Sequence, residues 1–271
     1  MGFITCRAAV IGLYLIERAR FGTPELVGAV ERDVLFVLDG VGRFQVAPLT
    51  VRRIIRKKGI PMASVLYDWQ FGITGEIWTD LMWRRRNRLM AAKLARRLLA
   101  FRRAYPHATI HVLAFSGGAG IALFACEQLR GRHVVETMVL ACPAVSPDYD
   151  LTAALRCVTR CYALVSPRDR FILGLGTRIF GTTDRRFTAS AGYVGFRRPR
   201  RLSPEAAALY ARMRQIAWTP ALRDLGHHGG HTGWVSERFL ARHLFPMLRG
   251  APLLATSEVP SCEEPTLALG A

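Results

Sequence analysis

The chain has little lysine and few acidic residues. Only Lys57, Lys58 and Lys93 are lysines, and 38 basic residues stand against 20 acidic ones, which gives a formal net charge of +18. A charge of this sign attracts phosphate and anionic lipid. The strong preference for arginine over lysine can also be explained by the base composition of the coding sequence rather than by a binding function. We therefore predict no specific nucleic-acid partner and at most weak association with anionic surfaces.

The N-terminal apolar run is too short to cross a bilayer as a helix. Residues 8–16 are apolar and are flanked by Arg7 and Glu17, whereas a spanning helix needs about 20 apolar residues. No convincing signal-peptide cleavage pattern follows this run. We predict an N-terminal helical segment over residues 1–31 and a cytoplasmic protein, with membrane association through this segment as the alternative.

The cysteines lack the spacing of a redox or zinc motif. They form no C-x-x-C pair and have no histidine at zinc-finger spacing, and several lie in apolar runs. This pattern predicts buried free thiols in a reducing compartment. We expect neither a metal nor an organic cofactor. The six cysteines are Cys6, Cys126, Cys142, Cys157, Cys161 and Cys262.

Apolar strand-like runs alternate with helical patterns through the middle of the chain. Such runs, separated by helices, predict an α/β fold with a mostly parallel sheet covered by helices on both faces. A chain of 271 residues is long enough for one such domain over residues 32–250, followed by a loose tail over 251–271. The predicted strands are 34–38, 63–67, 110–115, 134–141 and 161–165, and the predicted helices are 51–58, 79–103, 120–129, 151–157 and 235–248.

The helix predicted over residues 79–103 carries much of the positive charge. Its apolar residues Met90, Leu94, Leu98 and Phe101 recur at helical spacing, so we interpret its arginines as a solvated face opposite a core stripe. A functional anionic-binding surface is the alternative. The arginines are Arg84, Arg85, Arg86, Arg88, Arg96, Arg97, Arg102 and Arg103.

Ser116 lies where an apolar strand gives way to a helix. Ala114 stands two residues before it and Gly118 two residues after it. A serine on such a turn takes a strained backbone conformation that pushes its hydroxyl out of the sheet, and only small neighbours leave room for it. The pattern predicts a nucleophile elbow, with a plain turn serine as the alternative.

A serine hydroxyl needs an imidazole to accept its proton and a carboxylate to orient that imidazole. Asp169 directly follows a predicted apolar strand and is preferred to Asp184 as the acid. His231 is preferred as the base because its flanking glycines let the backbone bend toward the elbow. Spacing alone leaves His227 and His228 open as alternatives.

The order serine, aspartate, histidine is that of the α/β-hydrolase superfamily, which residues 32–248 resemble. Ala-Phe-Ser-Gly-Gly is similar to the elbow of that family, Ser-Pro-Arg-Asp to its acid turn and Gly-Gly-His-Thr-Gly to its histidine loop. The resemblance implies a serine hydrolase with Ser116 as nucleophile, His231 as base and Asp169 as orienting acid.

The resemblance also implies two backbone donors for an oxyanion hole. One is the N–H of Gly117, and the other comes from residues 39–42, where Val41 matches best. This loop departs from the family pattern, because Asp39 stands where many members have histidine and a Gly-Gly-Gly run is absent.

Two regions are candidates to shape a substrate site. Residues 170–223 exceed the usual length of a strand-to-strand connection and mix glycines with aromatic residues, which predicts a cap segment or a long crossover. Trp69 and Phe71 follow another predicted strand and either line an apolar pocket or belong to the core.

These observations predict a carboxylic ester hydrolase, of the class EC 3.1.1, that acts on a small-molecule or lipid-like acyl ester through an acyl-enzyme on Ser116. An acyltransferase or an amidase would use the same three side chains. The remaining alternative is a non-catalytic basic module that binds an anionic polymer or a membrane.

Overall fold

Seven strands form one sheet in the part of the chain that our computed structural model describes, which is residues 26–28, 30, 32–71 and 77–251. The strand order is β1-β3-β2-β4-β5-β6-β7, and only β1 runs antiparallel to its neighbour. The strands are β1 Leu26–Val27, β2 Asp33–Leu38, β3 Ala63–Leu66, β4 Thr109–Phe115, β5 Val135–Ala141, β6 Val158–Val165 and β7 Met213–Ala217.

Helices connect the strands and cover the sheet. The α-helices are α1 Val46–Lys58, α2 Ile77–Met82, α3 Arg84–Ala104, α4 Gly117–Gln128, α5 Thr152–Arg156, α6 Thr177–Phe180, α7 Ala191–Val194, α8 Pro204–Tyr210, α9 Glu237–Phe239 and α10 Phe245–Leu248. Two π-helical segments, Arg170–Gly176 and Leu240–Leu244, precede α6 and α10, and two 3₁₀ segments are Pro220–Leu225 and Gly233–Val235.

Successive residues of β2 point to opposite faces of the sheet, as the pleat of a strand requires. Val34 and Phe36 belong to a core cluster that includes residues of α3, α4 and α5. Leu35 and Val37 belong to a second cluster that includes residues of α1 and of the closing segment 233–248. Because both faces are buried, β2 is apolar without alternation. The predicted parallel sheet with helices on both faces is confirmed.

The helix predicted over 79–103 is two helices, because the chain breaks at Trp83. This residue has φ −83° and ψ 72°, outside the helical region. Nearby, the buried Asn87 donates its side-chain N–H to the Asp80 carbonyl, which ties α3 back to α2 across the break. Arg88 and Arg102 are both half-buried. Arg88 pairs with Glu127, and Arg102 donates to the carbonyls of Ala108 and Val134, so the arginine face of α3 is only partly solvated.

Residues 170–223 contain the last strand of the sheet. β7 pairs in parallel with β6, so the residues between these strands are a crossover connection. Its sequence, Met-Arg-Gln-Ile-Ala, has one buried residue, Ile216, and this weak pattern explains why the strand was not predicted. A cap role for residues 170–223 stays a prediction, as do the proposed domain limits.

Within the described residues, Cys126, Cys142, Cys157 and Cys161 are buried free thiols, as predicted. In the same part of the chain, no helix combines the length and the apolar character needed to cross a bilayer. Most of the N-terminal segment predicted to be helical over residues 1–31 lies outside the described residues, but its described end is a strand, because Leu26–Val27 pair with β3 as β1. Residues 252–271 of the predicted loose tail, Cys6 and Cys262 also lie outside the described residues.

Candidate active site

Ser116 occupies the turn between β4 and α4. Its φ of 52° and ψ of −120° lie in a region that non-glycine residues rarely adopt. Neighbouring segments hold this conformation: the Ser116 N–H donates to the Ala141 carbonyl at 2.8 Å, and its carbonyl accepts the N–H groups of Ala119 and Ala144. The strained turn predicted from the small neighbours is therefore present.

Close packing behind the serine explains its small neighbours. A Cβ placed on Gly118 would lie 2.5 Å from the Asp39 carbonyl oxygen and 3.0 Å from the Leu38 Cβ. Helix α4 thus begins directly against the end of β2. Ala114, two residues before the serine, is fully buried.

Three side chains that are distant in sequence form a hydrogen-bonded chain. The Nε2 atom of His231 lies 3.0 Å from the Ser116 Oγ, and its Nδ1 atom lies 2.5 Å from an Asp169 carboxylate oxygen. Asp169 is buried, with 4% exposure, and the His231 side chain is 11% exposed. These distances are those at which an imidazole can take a proton from a hydroxyl while a carboxylate fixes its tautomer.

The turn that carries the acid is bonded to the loop that carries the histidine. Asp169 follows β6 in a turn closed by a bond from its N–H to the Ser166 carbonyl, at 3.1 Å. The Ser166 hydroxyl donates to the Gly229 carbonyl at 2.7 Å. Gly229 has a φ of +90°, and a Cβ there would lie 2.8 Å from Arg168, so this close approach requires glycine.

The two other histidine candidates lie elsewhere. His227 is fully buried, contacts the Trp218 and Trp234 rings, and accepts a hydrogen bond on Nδ1 from the Gly229 N–H. Burial lowers its pKa from 6.5 to about 4, which favours the neutral ring. His228 is exposed. Only His231 bonds to the serine, so the alternatives His227 and His228 do not fit the geometry.

Asp184, the alternative acid, has other partners. Its carboxylate accepts hydrogen bonds from the Ser146 N–H and hydroxyl, at 2.9 and 2.5 Å, and from the Thr182 hydroxyl at 2.6 Å. These bonds join the loop after β5 to the loop after α6. Asp184 therefore acts as a structural carboxylate.

The two candidate oxyanion donors are adjacent. A Cβ on Gly117 would lie 2.8 Å from the Val41 Cγ1, and a Cβ on Gly40 would lie 3.1 Å from the Ser116 Cβ. Gly117 is the first residue of α4, so its N–H has no partner within the helix. Residues 39–42 thus pack directly against the elbow.

Asp80, which no motif of the sequence predicts, anchors this loop. Its carboxylate is fully buried, accepts the Gly42 N–H at 2.9 Å and the Phe71 N–H at 2.6 Å, and lies 3.7 Å from Arg86. Gln70 adds a bond to the Gly40 carbonyl at 2.7 Å. Asp80 lies in a helix with no motif around it, so the sequence holds no local signal of this role.

Asp39 has a structural role at the position where the family pattern has histidine. Its two carboxylate oxygens accept the N–H groups of Val46 and Ala47, at 3.0 and 3.1 Å, at the start of α1. Burial raises its pKa from 3.8 to about 6, although these hydrogen bonds oppose the shift. Asp39 therefore orients the loop after β2 by capping a helix.

The predicted pocket residues differ in position. Trp69 is fully buried, donates from Nε1 to the Asp39 carbonyl at 2.9 Å and lies beneath Gly117, so it is a core residue that supports the elbow. Phe71 is 42% exposed and contacts the Trp83 ring and the Arg86 guanidinium. Trp69 and Phe71 therefore have different surroundings, and no contact between them is part of a common pocket among the described residues.

Among the described residues, one group of three side chains could supply metal ligands: Cys142, Asp169 and His231, whose ligand atoms lie within 4.8 Å of one another. Two of them already share a hydrogen bond. Burial, with a smaller effect of the Asp169 charge, raises the pKa of the Cys142 thiol well above its usual range, so this group stays protonated. The donor set favours proton transfer over binding a cation.

No protein-family model and no curated protein matches the sequence. A cutinase-like protein from Cryptococcus sp. is 15% identical, with 82% of this chain and 97% of that one covered and a TM-score of 0.41. A lipase-esterase related protein from Clostridium acetobutylicum is 10% identical, with 81% and 96% covered and a TM-score of 0.43. An esterase from Pyrococcus furiosus is 11% identical, with 78% and 83% covered and a TM-score of 0.41.

The fold assignment follows from the strand order, the strained serine turn after β4 and the order of Ser116, Asp169 and His231 along the chain. The protein has the α/β-hydrolase fold, as the motifs of its sequence predict.

Proposed function

We propose that this protein is a serine hydrolase that cleaves a carboxylic ester, with Ser116 as nucleophile, His231 as general base and Asp169 as the acid that orients it. The observation that carries the proposal is the hydrogen-bonded chain from the Ser116 Oγ through the His231 ring to the Asp169 carboxylate, at 3.0 and 2.5 Å. A hydroxyl is a weak nucleophile at neutral pH, so this chain supplies the activation that it needs.

The first half of the proposed reaction forms an acyl-enzyme. The Ser116 Oγ attacks the ester carbonyl carbon while its proton moves to the His231 Nε2. The N–H groups of Gly117 and Val41 hydrogen-bond the resulting oxyanion, and the charged imidazole is stabilised by Asp169. The bond from carbon to the alcohol oxygen then breaks, and the His231 proton passes to the departing alcohol.

In the second half, water replaces the alcohol. Its oxygen attacks the acyl carbon as His231 removes a proton, and a second tetrahedral oxyanion is bound by the same two N–H groups. The bond between the acyl carbon and the Ser116 Oγ breaks, the proton returns to the serine, and the carboxylic acid leaves. Every proton transfer uses the Nε2 atom of His231, so one base serves both halves.

A fluorophosphonate probe tests this proposal, because it phosphonylates an activated serine. We expect the purified protein to be labelled and the Ser116→Ala variant to remain unlabelled. Ser203→Ala is the matched control, since Ser203 is an exposed serine that caps α8 and should keep full labelling. A folded wild-type protein that resists the probe would refute the proposed nucleophile.

The molecule that receives the acyl group distinguishes a hydrolase from an acyltransferase. With a p-nitrophenyl ester as substrate, a hydrolase releases the free acid even when a primary alcohol or amine is added. If the added alcohol or amine instead captured most of the acyl group, the protein would be an acyltransferase with the same nucleophile. An amide substrate turned over as fast as the ester would identify an amidase.

A further inference from the structure

An apolar stripe faces outward on the helical segment that follows Asp169. Phe171, Leu175 and Ile179 recur every four residues, so they lie on one face of the segment formed by Arg170–Gly176 and α6. They are 84%, 52% and 55% exposed, whereas Leu173 is fully buried on the opposite side. Amphipathic surface helices usually bury this kind of stripe.

A second exposed apolar group lies beside the stripe. Helix α6 contacts α2, which ends at Met82; Met82 and the next residue, Trp83, are 46% and 49% exposed. Phe71 contacts the Trp83 ring at a centroid distance of 5.7 Å and is itself 42% exposed. Apolar side chains from two separate parts of the chain therefore form one surface. We call this the Phe171 surface; it comprises Phe71, Met82, Trp83, Phe171, Leu175 and Ile179.

Exposed arginines flank these apolar side chains along the chain: Arg170 precedes Phe171, and Arg178 precedes Ile179. Between residues 170 and 204 the sequence has a single acidic residue, Asp184, whose carboxylate is bonded to Ser146 and Thr182. Arg84 and Arg85 are exposed next to Trp83.

We propose that the Phe171 surface docks the protein onto an anionic lipid bilayer. Contiguous exposed apolar side chains mark an interaction surface, and bulky apolar residues flanked by exposed arginines fit the boundary between acyl chains and anionic headgroups. The charge of the surrounding residues is complementary to that of the lipid. Arg170 directly follows Asp169, so docking there holds the active-site edge of the sheet close to the bilayer. This inference goes beyond the proposed function, because binding requires no turnover.

Sedimentation with lipid vesicles tests the proposal. The full chain carrying Ser116→Ala is mixed with vesicles of phosphatidylcholine alone or of phosphatidylcholine with phosphatidylglycerol, so that hydrolysis plays no part. We expect binding to the anionic vesicles, little binding to the neutral ones, and weaker binding as salt increases. Adding Arg170→Gln should weaken binding roughly fivefold, the effect of losing one basic residue near an anionic surface.

The apolar stripe is tested by Phe171→Ser combined with Leu175→Ser. Both side chains are exposed, so we expect the fold and thermal stability to be kept and binding to anionic vesicles to fall more than about tenfold. Tyr105→Ser is the matched control. Tyr105 is 40% exposed and ends α3 about 30 Å from Trp83, so its loss should leave vesicle binding unchanged.

Three results would overturn the proposal. One is undiminished vesicle binding by the double variant, and another is equal binding to neutral and anionic vesicles. The third is a wild-type dimer in size-exclusion chromatography that the double variant converts to monomer, because a second copy of the chain would then cover the Phe171 surface. Each result leaves the fluorophosphonate experiment on Ser116 unaffected.

Discussion

Replacing Gly118 by alanine should reduce activity far more than stability. The added Cβ would lie 2.5 Å from the Asp39 carbonyl oxygen, whereas ordinary contacts begin at 3.4 Å. The start of α4 and the end of β2 must therefore separate by roughly 0.9 Å, since the obstacle is backbone that cannot rotate away. The loop that carries Val41 continues directly from β2, so this movement alters the spacing of the two oxyanion donors.

The effects on stability partly cancel. Overpacking costs about 1–3 kcal/mol, while alanine in place of glycine within a helix gains about 1 kcal/mol, so the net loss should be at most about 2 kcal/mol. A misplacement near 1 Å can lower the rate of a positioned reaction about 10²-fold. We expect Gly118→Ala to remain folded and to lose about 10²-fold in kcat/KM for a p-nitrophenyl ester.

Gly120→Ala is the matched control on the same helix. Its Cβ would lie 2.5 Å from the Thr183 side chain, away from the oxyanion loop. This variant should lose comparable stability in thermal unfolding but keep most of its kcat/KM. If Gly118→Ala lost no more activity than Gly120→Ala at equal loss of stability, the contact between α4 and β2 would not determine the oxyanion geometry.

Three further predictions concern ionisable side chains. Asp169→Asn should lower kcat about 10⁴-fold with the fold retained. Asp184→Asn should instead lower the free energy of unfolding by about 1–3 kcal/mol and leave most of the activity. If kcat fell more in Asp184→Asn than in Asp169→Asn, the assignment of the acid would be reversed. Asp80→Asn replaces a carboxylate oxygen by a donor that opposes the Gly42 or the Phe71 N–H, so kcat should fall at nearly unchanged KM, and an unchanged kcat would contradict its role in holding the oxyanion loop. Burial lowers the pKa of His227 from 6.5 to about 4, so its neutral ring contributes stability above pH 6.5 that is lost as the pH falls toward 4. Over that range, the free energy of unfolding measured in urea should fall by about 3 kcal/mol more for the wild type than for His227→Asn. Parallel pH profiles of the two proteins would argue against a buried neutral ring.

The parts of the fold predicted from the sequence are those with continuous apolar runs. Residues 34–38 and 110–115 are buried on both faces, so their sequence contains the signal directly. β7 contributes one buried residue at the edge of the sheet and gives no such signal. The break at Trp83 was also not predictable, because no proline or glycine marks it in the sequence.

Some residues of the candidate site could likewise be predicted from the sequence, and others could not. Ser116, Asp169 and His231 follow from local motifs, since a strained turn and glycine-flanked loops leave traces in the neighbouring residues. The preference among three histidines could not be decided by spacing, because the sealed ring of His227 results from packing against Trp234 and Phe239. Asp80 acts across 38 residues of sequence through a single backbone N–H, a contact that only the folded chain creates.

The bond between the Ser166 hydroxyl and the Gly229 carbonyl has a mechanical consequence. It joins the loop that carries His231 to the turn that carries Asp169, independently of the hydrogen bond between these two side chains. We expect this bond to make the two loops move together, so that the His231 ring keeps its contact with Asp169 when a ligand enters. In the proposed reaction, Ser166 would then help to preserve the His231 tautomer without contacting the substrate.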